Sequence, residues 1–297
     1  MSFRVVILTT VTLVAFAANS LLCRMALAPD RIDPVTFVFI RLASGVAVLI
    51  PLAAAMSEPR PEGRRAGSWR SGFALFVYAM AFSLAYVSLE TGMGALILFG
   101  SVQATMIGAG LWQGERPSAR EWVGLIVAMA GLVYLVLPGL SAPNPAGAAL
   151  MVASGVGWGM YSLRGRGSKA PIAATAGNFT RALPLAVAGL VIAWGTTHAS
   201  PRGVAIAAVS GSVTSGLGYV IWYVTLRHLT ATRAAIVQLA VPVIAAAGGI
   251  AFLSEKPTVR LAIASLMILG GVGGATVARG REVEALASNK HAGDHRE

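Results

Sequence analysis

Tyr78, Phe82 and Tyr86 stand four residues apart, so on a helix they share one face. Tyr219 and Tyr223 repeat that spacing with Trp222 beside them. Two such faces meeting would form a pocket for an amphipathic solute with an apolar body. Core packing is the bland alternative, and Tyr86 and Tyr223, near helix ends, fit an interfacial belt equally well. Amides and an indole stand in similar apolar surroundings: Asn19, Gln103, Trp158 and Gln238. An amide side chain both donates and accepts, so it can hold a carboxylate or an ammonium; it can also join two helices. Tyr78, Phe82 and Tyr219 with those four are the candidate substrate-binding residues. Arg41 and Arg181 either hold a substrate carboxylate or tie helices through carbonyls, and the second role is the expected one. Glu115 and Glu255 each open a loop five residues before an arginine, Arg120 or Arg260, a setting for loop closure, helix capping or gating. Pro242 is placed to kink its helix and free backbone carbonyls for a ligand.

What positions these residues is read from composition. Of 297 residues, 56% are hydrophobic and 12% charged, about half the charged share of a soluble domain. The net charge of +11 does not point to nucleic acid, because the basic residues are scattered through short connections between apolar runs. Cys23 is the single cysteine, so no intrachain disulfide or cysteine metal site can form. No P-loop, zinc motif or nucleophile triad is present, which argues against ATP-driven or enzymatic work; no cofactor or metal is expected.

A bilayer-crossing helix needs about 20 mostly apolar residues. Such runs fall near 4–27, 34–56, 70–89, 92–113, 120–138, 146–164, 172–194, 203–226, 232–253 and 259–279. The first resembles a signal-peptide core, but it continues past Leu22 and is read as a retained helix. With the N-terminus placed inside, inner segments carry sixteen Lys and Arg and outer segments four. That bias predicts an inner-membrane protein with both termini cytoplasmic. The polar segment 280–297 is expected to be a disordered cytoplasmic tail. Trp69, Trp112, Trp122 and Trp194, at span ends, are expected belt anchors.

The chain repeats itself at an offset of 140 residues: Gly114-Glu115-Arg116-Pro117 falls on Ser254-Glu255-Lys256-Pro257, Arg24 on Arg164, Arg41 on Arg181 and Gly131 on Gly271. In the third helix of each half the offset is 137, pairing Phe82 with Tyr219 and Tyr86 with Tyr223. Five spans per half is an odd number, so the second half must enter the membrane inverted. The predicted fold is therefore all-α, ten transmembrane helices in two inverted five-helix repeats around a central cavity. Residues 5–138 and 146–279 form the repeats. This is a secondary-transporter architecture, with the site where the halves meet.

The Gly-Glu-Arg/Lys-Pro element followed by a glycine-rich fifth helix (Gly124, Gly131; Gly270, Gly271, Gly273) resembles the EamA repeat of the drug/metabolite transporter superfamily. Ser254 replaces the glycine in the second copy. Within that superfamily the chain looks most like the YddG-type aromatic amino acid exporters. The resemblance implies a central cavity and alternating access, and export of amino acids, aromatic and other apolar ones among them, or of similar small metabolites. Anionic metabolites such as sugar phosphates are an alternative that turns on whether Arg41 or Arg181 faces inward; drug-like neutral solutes are another. A scaffold without transport would need a larger soluble tail. The expected partners are a small-molecule substrate and the bilayer, with the two-repeat chain working as a monomer. No Asp or Glu lies deep in a span, and where small multidrug pumps carry a carboxylate this chain reads Phe16-Ala17-Ala18-Asn19-Ser20. Downhill or exchange transport without a proton relay is the expectation.

Overall fold

Where the spans begin is set by local chemistry. Pro34, Pro145, Pro171 and Pro201 occupy first helical turns, where a missing N–H is harmless. Asp33, Ser68, Asn144, Ser200 and Thr230 cap their helices through side-chain oxygens. Ser118 and Glu121 close a reciprocal capping box. The computed structural model describes residues 3–28, 31–56, 66–89, 91–137, 144–253 and 257–293. Glu255, expected to close its loop, cap a helix or gate, lies outside them.

The first half contributes α1 (Phe3–Ala26), α2 (Pro34–Ala55), α3 (Trp69–Ala85), α4 (Thr91–Trp112) and α5 (Ala119–Val136). The second begins with α6 (Pro145–Gly165) and α7 (Pro171–Ile192). Its third crossing is composite: α8 (Pro201–Val209), a π-helical segment (Ser210–Leu217) and α9 (Gly218–Leu226). Its fourth is broken into α10 (Ala231–Gln238) and α11 (Val241–Leu253), and α12 (Val259–Gly293) completes the set. Among the described residues, eight segments are long and apolar enough to cross a bilayer, and Trp69–Ala85 is a shorter apolar helix. With α5 they make ten crossings. No β-strand forms among the described residues; one antiparallel bridge joins Ile32 and Ala199.

The packing obeys the two-fold relation between the halves. α3 packs on α6 and α7, and its counterpart, α8 through α9, packs on α1 and α2. α4 lies on α6 as α11 lies on α1. α2 faces α7 and α5 faces α12, each its own repeat partner. The packed units therefore interleave the halves: α1, α2, α8, α9 and α11 make one bundle, α3, α4, α6 and α7 make the other, and α10, which runs on into α11, packs across onto α4. At the α5–α12 crossing, a Cβ on Gly124 would lie 2.4 Å from Gly271 O, and one on Gly271 would lie 2.5 Å from Gly124 O. Only glycine permits that approach, a small-residue contact of the kind that packs helices in lipid.

Two details depart from the sequence reading, and a third follows it. The third crossing of the second half is not one regular helix: a run of Ser, Gly and Thr widens it into a π segment. The fourth breaks at Leu239–Ala240, the interruption expected of Pro242, which has no N–H to offer the carbonyl of Gln238. The segment expected to be a disordered tail continues α12 to Gly293; Glu282, Glu284, Ala285, Leu286 and Ala287 are good helix formers.

Candidate substrate site

The centre of the molecule lies between the two bundles. A cavity of about 40 Å³ there is lined by Phe16, Asn19, Ser20, Tyr78, Phe82, Leu98, Phe99, Val102, Trp158, Gln238 and Val241. Five predicted substrate residues are among them: Asn19, Tyr78, Phe82, Trp158 and Gln238. Such a space holds a few water molecules; the aromatic side chains have closed on one another. Phe16 meets Trp158 edge-on at 5.0 Å, and Tyr78 and Tyr219 lie 4.9 and 4.8 Å from Trp158.

The polar atoms around this cavity form a directed network. Trp158 Nε1 donates to Gln238 Oε1 at 2.6 Å, and Gln238 Nε2 donates to Ala234 O. Asn19 Oδ1 accepts from Ser210, Thr214 and Ser215, all on the π segment. Gly211 lets that segment press on α2, since a Cβ there would lie 2.0 Å from Arg41 O. This contact brings Ser215 to Arg41.

Arg41 is 1% exposed. Its Nε donates to Ser215 Oγ at 2.8 Å and its Nη2 to Tyr219 Oη at 2.5 Å. Its guanidinium sits 5.4 Å from the Tyr78 ring centroid. Tyr219 is therefore one layer behind the cavity wall, bonded to Arg41 and facing Tyr78 at 3.4 Å.

Gln103 departs from its predicted place, while Arg181 takes the role expected of it. Gln103 does not line the cavity; its Nε2 donates to Ala235 O, joining α4 to α10, and its Oε1 is buried without a hydrogen-bond partner. Arg181 points away from the centre and donates to Ala66 O and Gly177 O, the carbonyl-tying role. Tyr223, considered for the belt, is buried instead, accepting from Asn178 and donating to Tyr161 O. Tyr86 lines a separate cleft. Trp69, Trp112 and Trp194 stand well exposed at helix ends and Trp122 moderately so.

Two approaches flank the centre. On the side away from the N-terminus, a cleft of about 200 Å³ lies between α1 and α3–α4, lined by Ser20, Cys23, Arg24, Leu27, Tyr86 and Leu89. Ser20 belongs to both this cleft and the central cavity. On the N-terminal side, Glu115 joins the bundles. Its carboxylate accepts from the N–H groups of Ala231 and Thr232, capping α10 from the other half, and pairs with Arg166 at 3.0 Å. The sequence offered Arg120 as its neighbour; the fold supplies Arg166. Burial pushes the Glu115 carboxyl up, but those N–H donors and the Arg166 charge prevail and hold it below the usual glutamate value. Beside it Glu121 pairs with Arg233 at 2.7 Å. A surface groove of about 620 Å³ surrounds these groups. Among the described residues the buried carboxylates are Asp33 and Glu121, both in helix-end turns.

Phe16 and Ser215 belong to this centre although the sequence did not single them out. Phe16 is an apolar residue in an apolar span and carries no mark. Ser215 is one of several hydroxyls in its helix.

Residues 3–137 and 145–277 each match the EamA-like transporter family. An uncharacterized protein of Pseudomonas aeruginosa is 48% identical over 269 residues, covering 91% of this chain and 93% of its own. An uncharacterized transporter of Archaeoglobus fulgidus is 26% identical over 207 residues, covering 67% of this chain and 73% of its own. A solved crystal structure aligns at TM-score 0.78 and 18% identity, covering 94% of this chain and 99% of that one; that likeness concerns the fold.

Proposed function

The chain belongs to the EamA-like transporter family, a membrane transporter of small solutes, and from that premise we propose that it exports amino acids across the inner membrane. Aromatic and other apolar amino acids are its preferred cargo, moved by alternating access, with both chain termini in the cytoplasm. The observation that carries this reading is the central cavity: Tyr78, Phe82, Phe16 and Trp158 supply an apolar wall, and Asn19 and Gln238 supply amides beside it. An amphipathic zwitterion needs both. At about 40 Å³ the cavity is smaller than an amino acid, so loading requires the bundles to separate. Rocking them about the centre opens the cleft at Ser20 on one side or parts the Glu115 contacts on the other.

Arg41 lies at the centre and bears on the anionic-metabolite alternative. It stands behind Tyr78 and Tyr219, and Arg181 is spent on carbonyls. One shielded cation suits a single carboxylate better than a phosphate dianion, which favours the amino-acid reading.

The test is uptake of a panel of radiolabelled amino acids into liposomes holding the purified chain. Saturable uptake of aromatic and apolar members above empty liposomes is expected. Uptake of sugar phosphates but no amino acid would contradict the reading.

A further inference from the structure

Arg41 can only donate hydrogen bonds, so every partner it has must accept. This fixes the direction of two hydroxyl chains. Ser215 Oγ accepts from Arg41 Nε, so the Ser215 proton is free for Asn19 Oδ1, 3.3 Å away. With Ser210 donating to that oxygen at 2.7 Å and Thr214 bonded more closely to Ser210 O, the oxygen is satisfied and Asn19 keeps its Nδ2, a pure donor, for the cavity it lines. Tyr219 Oη accepts from Arg41 Nη2, so its proton goes to Tyr78 Oη at 3.4 Å. Tyr78, having accepted, keeps its own proton to offer to the cavity it lines.

Both chains thus carry the charge of one buried cation to the cavity wall as hydrogen-bond donors. No carboxylate pairs with Arg41 among the described residues, and its Nη1 has no hydrogen-bond partner. An unneutralised cation inside a membrane bundle is expensive. An anionic group on the solute would offset it through the two chains. On the Trp158 side the amide of Gln238 is already engaged at both ends, so the donor-rich corner at Asn19 and Tyr78 is the polar end of the site.

We propose that Asn19 Nδ2 and the Tyr78 hydroxyl form a carboxylate-recognising subsite, oriented and charged by Arg41 through Ser215 and Tyr219. Arg41 is a positioning residue here: it does not touch the solute, yet it sets which chemical class the cavity accepts. The subsite makes a free carboxylate obligatory and leaves the α-amino group secondary. This rests on the amino-acid reading and narrows it.

The experiment measures competition against a radiolabelled amino acid by three series: free amino acids, their carboxamides and their decarboxylated amines. The full chain is used in lipid nanodiscs, with Ser215→Ala, Tyr219→Phe and Arg41→Gln beside the wild type. The readout is the ratio of acid to amide affinity, which general loss of fold does not move in a defined direction. The wild type is expected to prefer the acid by at least about tenfold, the worth of a hydrogen bond to a charged group. Ser215→Ala and Tyr219→Phe, which keep shape and remove one chain each, should each lower the ratio several-fold. Arg41→Gln should bring it near one. Acids and amides binding the wild type alike, or an unchanged ratio in Ser215→Ala and Tyr219→Phe, would overturn the subsite while leaving the amino-acid reading standing. Binding of no amino acid, amide or amine would overturn both.

Discussion

Trp158 Nε1, on α6, donates to Gln238 Oε1, on α10, at 2.6 Å, and this bond links the two interleaved bundles at the wall of the central cavity. Gln238 is the last residue of α10, just before the break over Pro242. The bond therefore holds the place where the fourth crossing of the second half is interrupted.

Trp158→Phe keeps an aromatic ring but removes the N–H and leaves Gln238 Oε1 without that donor. An unsatisfied buried group costs about 1–3 kcal/mol. Transport in liposomes is expected to fall at least several-fold, with Gln238→Leu falling similarly. The double variant should be little worse than either single one, because both lose the same bond.

Glu115→Gln keeps shape while removing charge at the contact with Ala231, Thr232 and Arg166. The Glu115 carboxyl is held below its ordinary 4.5, so its contribution is fully present above that value and is lost as pH falls through the lower, folded value. Thermal unfolding of the wild type in detergent should therefore weaken below about pH 4.5, and Glu115→Gln should show a shallower loss over the same window. Identical pH profiles would remove Glu115 from the account of the N-terminal closure.

Gly124→Val sets a side chain against Gly271 O, which lies 2.4 Å from the Cβ position. Overpacking of this kind costs about 1–3 kcal/mol. The unfolding midpoint is expected to drop by several degrees, and Gly271→Val should do the same. Gly100→Val provides the contrast, since nothing lies within 4 Å of a Cβ there.

Much of this arrangement could be read from residue types and spacing. Asn19, Tyr78, Phe82, Trp158 and Gln238 are conspicuous because polar and aromatic side chains inside apolar spans seek the interior. The 140-residue offset pointed to a two-fold arrangement, and the reciprocal packing of α3 on α6 and of α8–α9 on α1 has that form. What resisted reading depends on rotation and close packing. α4 is apolar on all sides, so its sequence does not tell which way Gln103 turns; it turns to Ala235. The π segment depends on Gly211 meeting Arg41 O, a contact between residues 170 positions apart. The partner of Glu115 likewise comes from the far half, through the fold rather than through neighbouring sequence.

The orientation proposed from the basic loops has its own check. A green fluorescent protein fused after Glu297 should fold and fluoresce, and an alkaline phosphatase in the same place should be inactive. Active phosphatase would place that end outside.

Solute is expected to pass through the cavity at Tyr78 and Trp158. Counterflow of radiolabelled phenylalanine in proteoliposomes measures that passage, comparing wild type, Tyr78→Ala and Trp158→Ala with Trp112→Ala, a residue 93% exposed at the end of α4. Transient accumulation is expected in the wild type and in Trp112→Ala, with loss of at least tenfold in the two cavity variants at equal reconstituted protein and retained thermal unfolding. Undiminished counterflow in both Tyr78→Ala and Trp158→Ala would contradict the account.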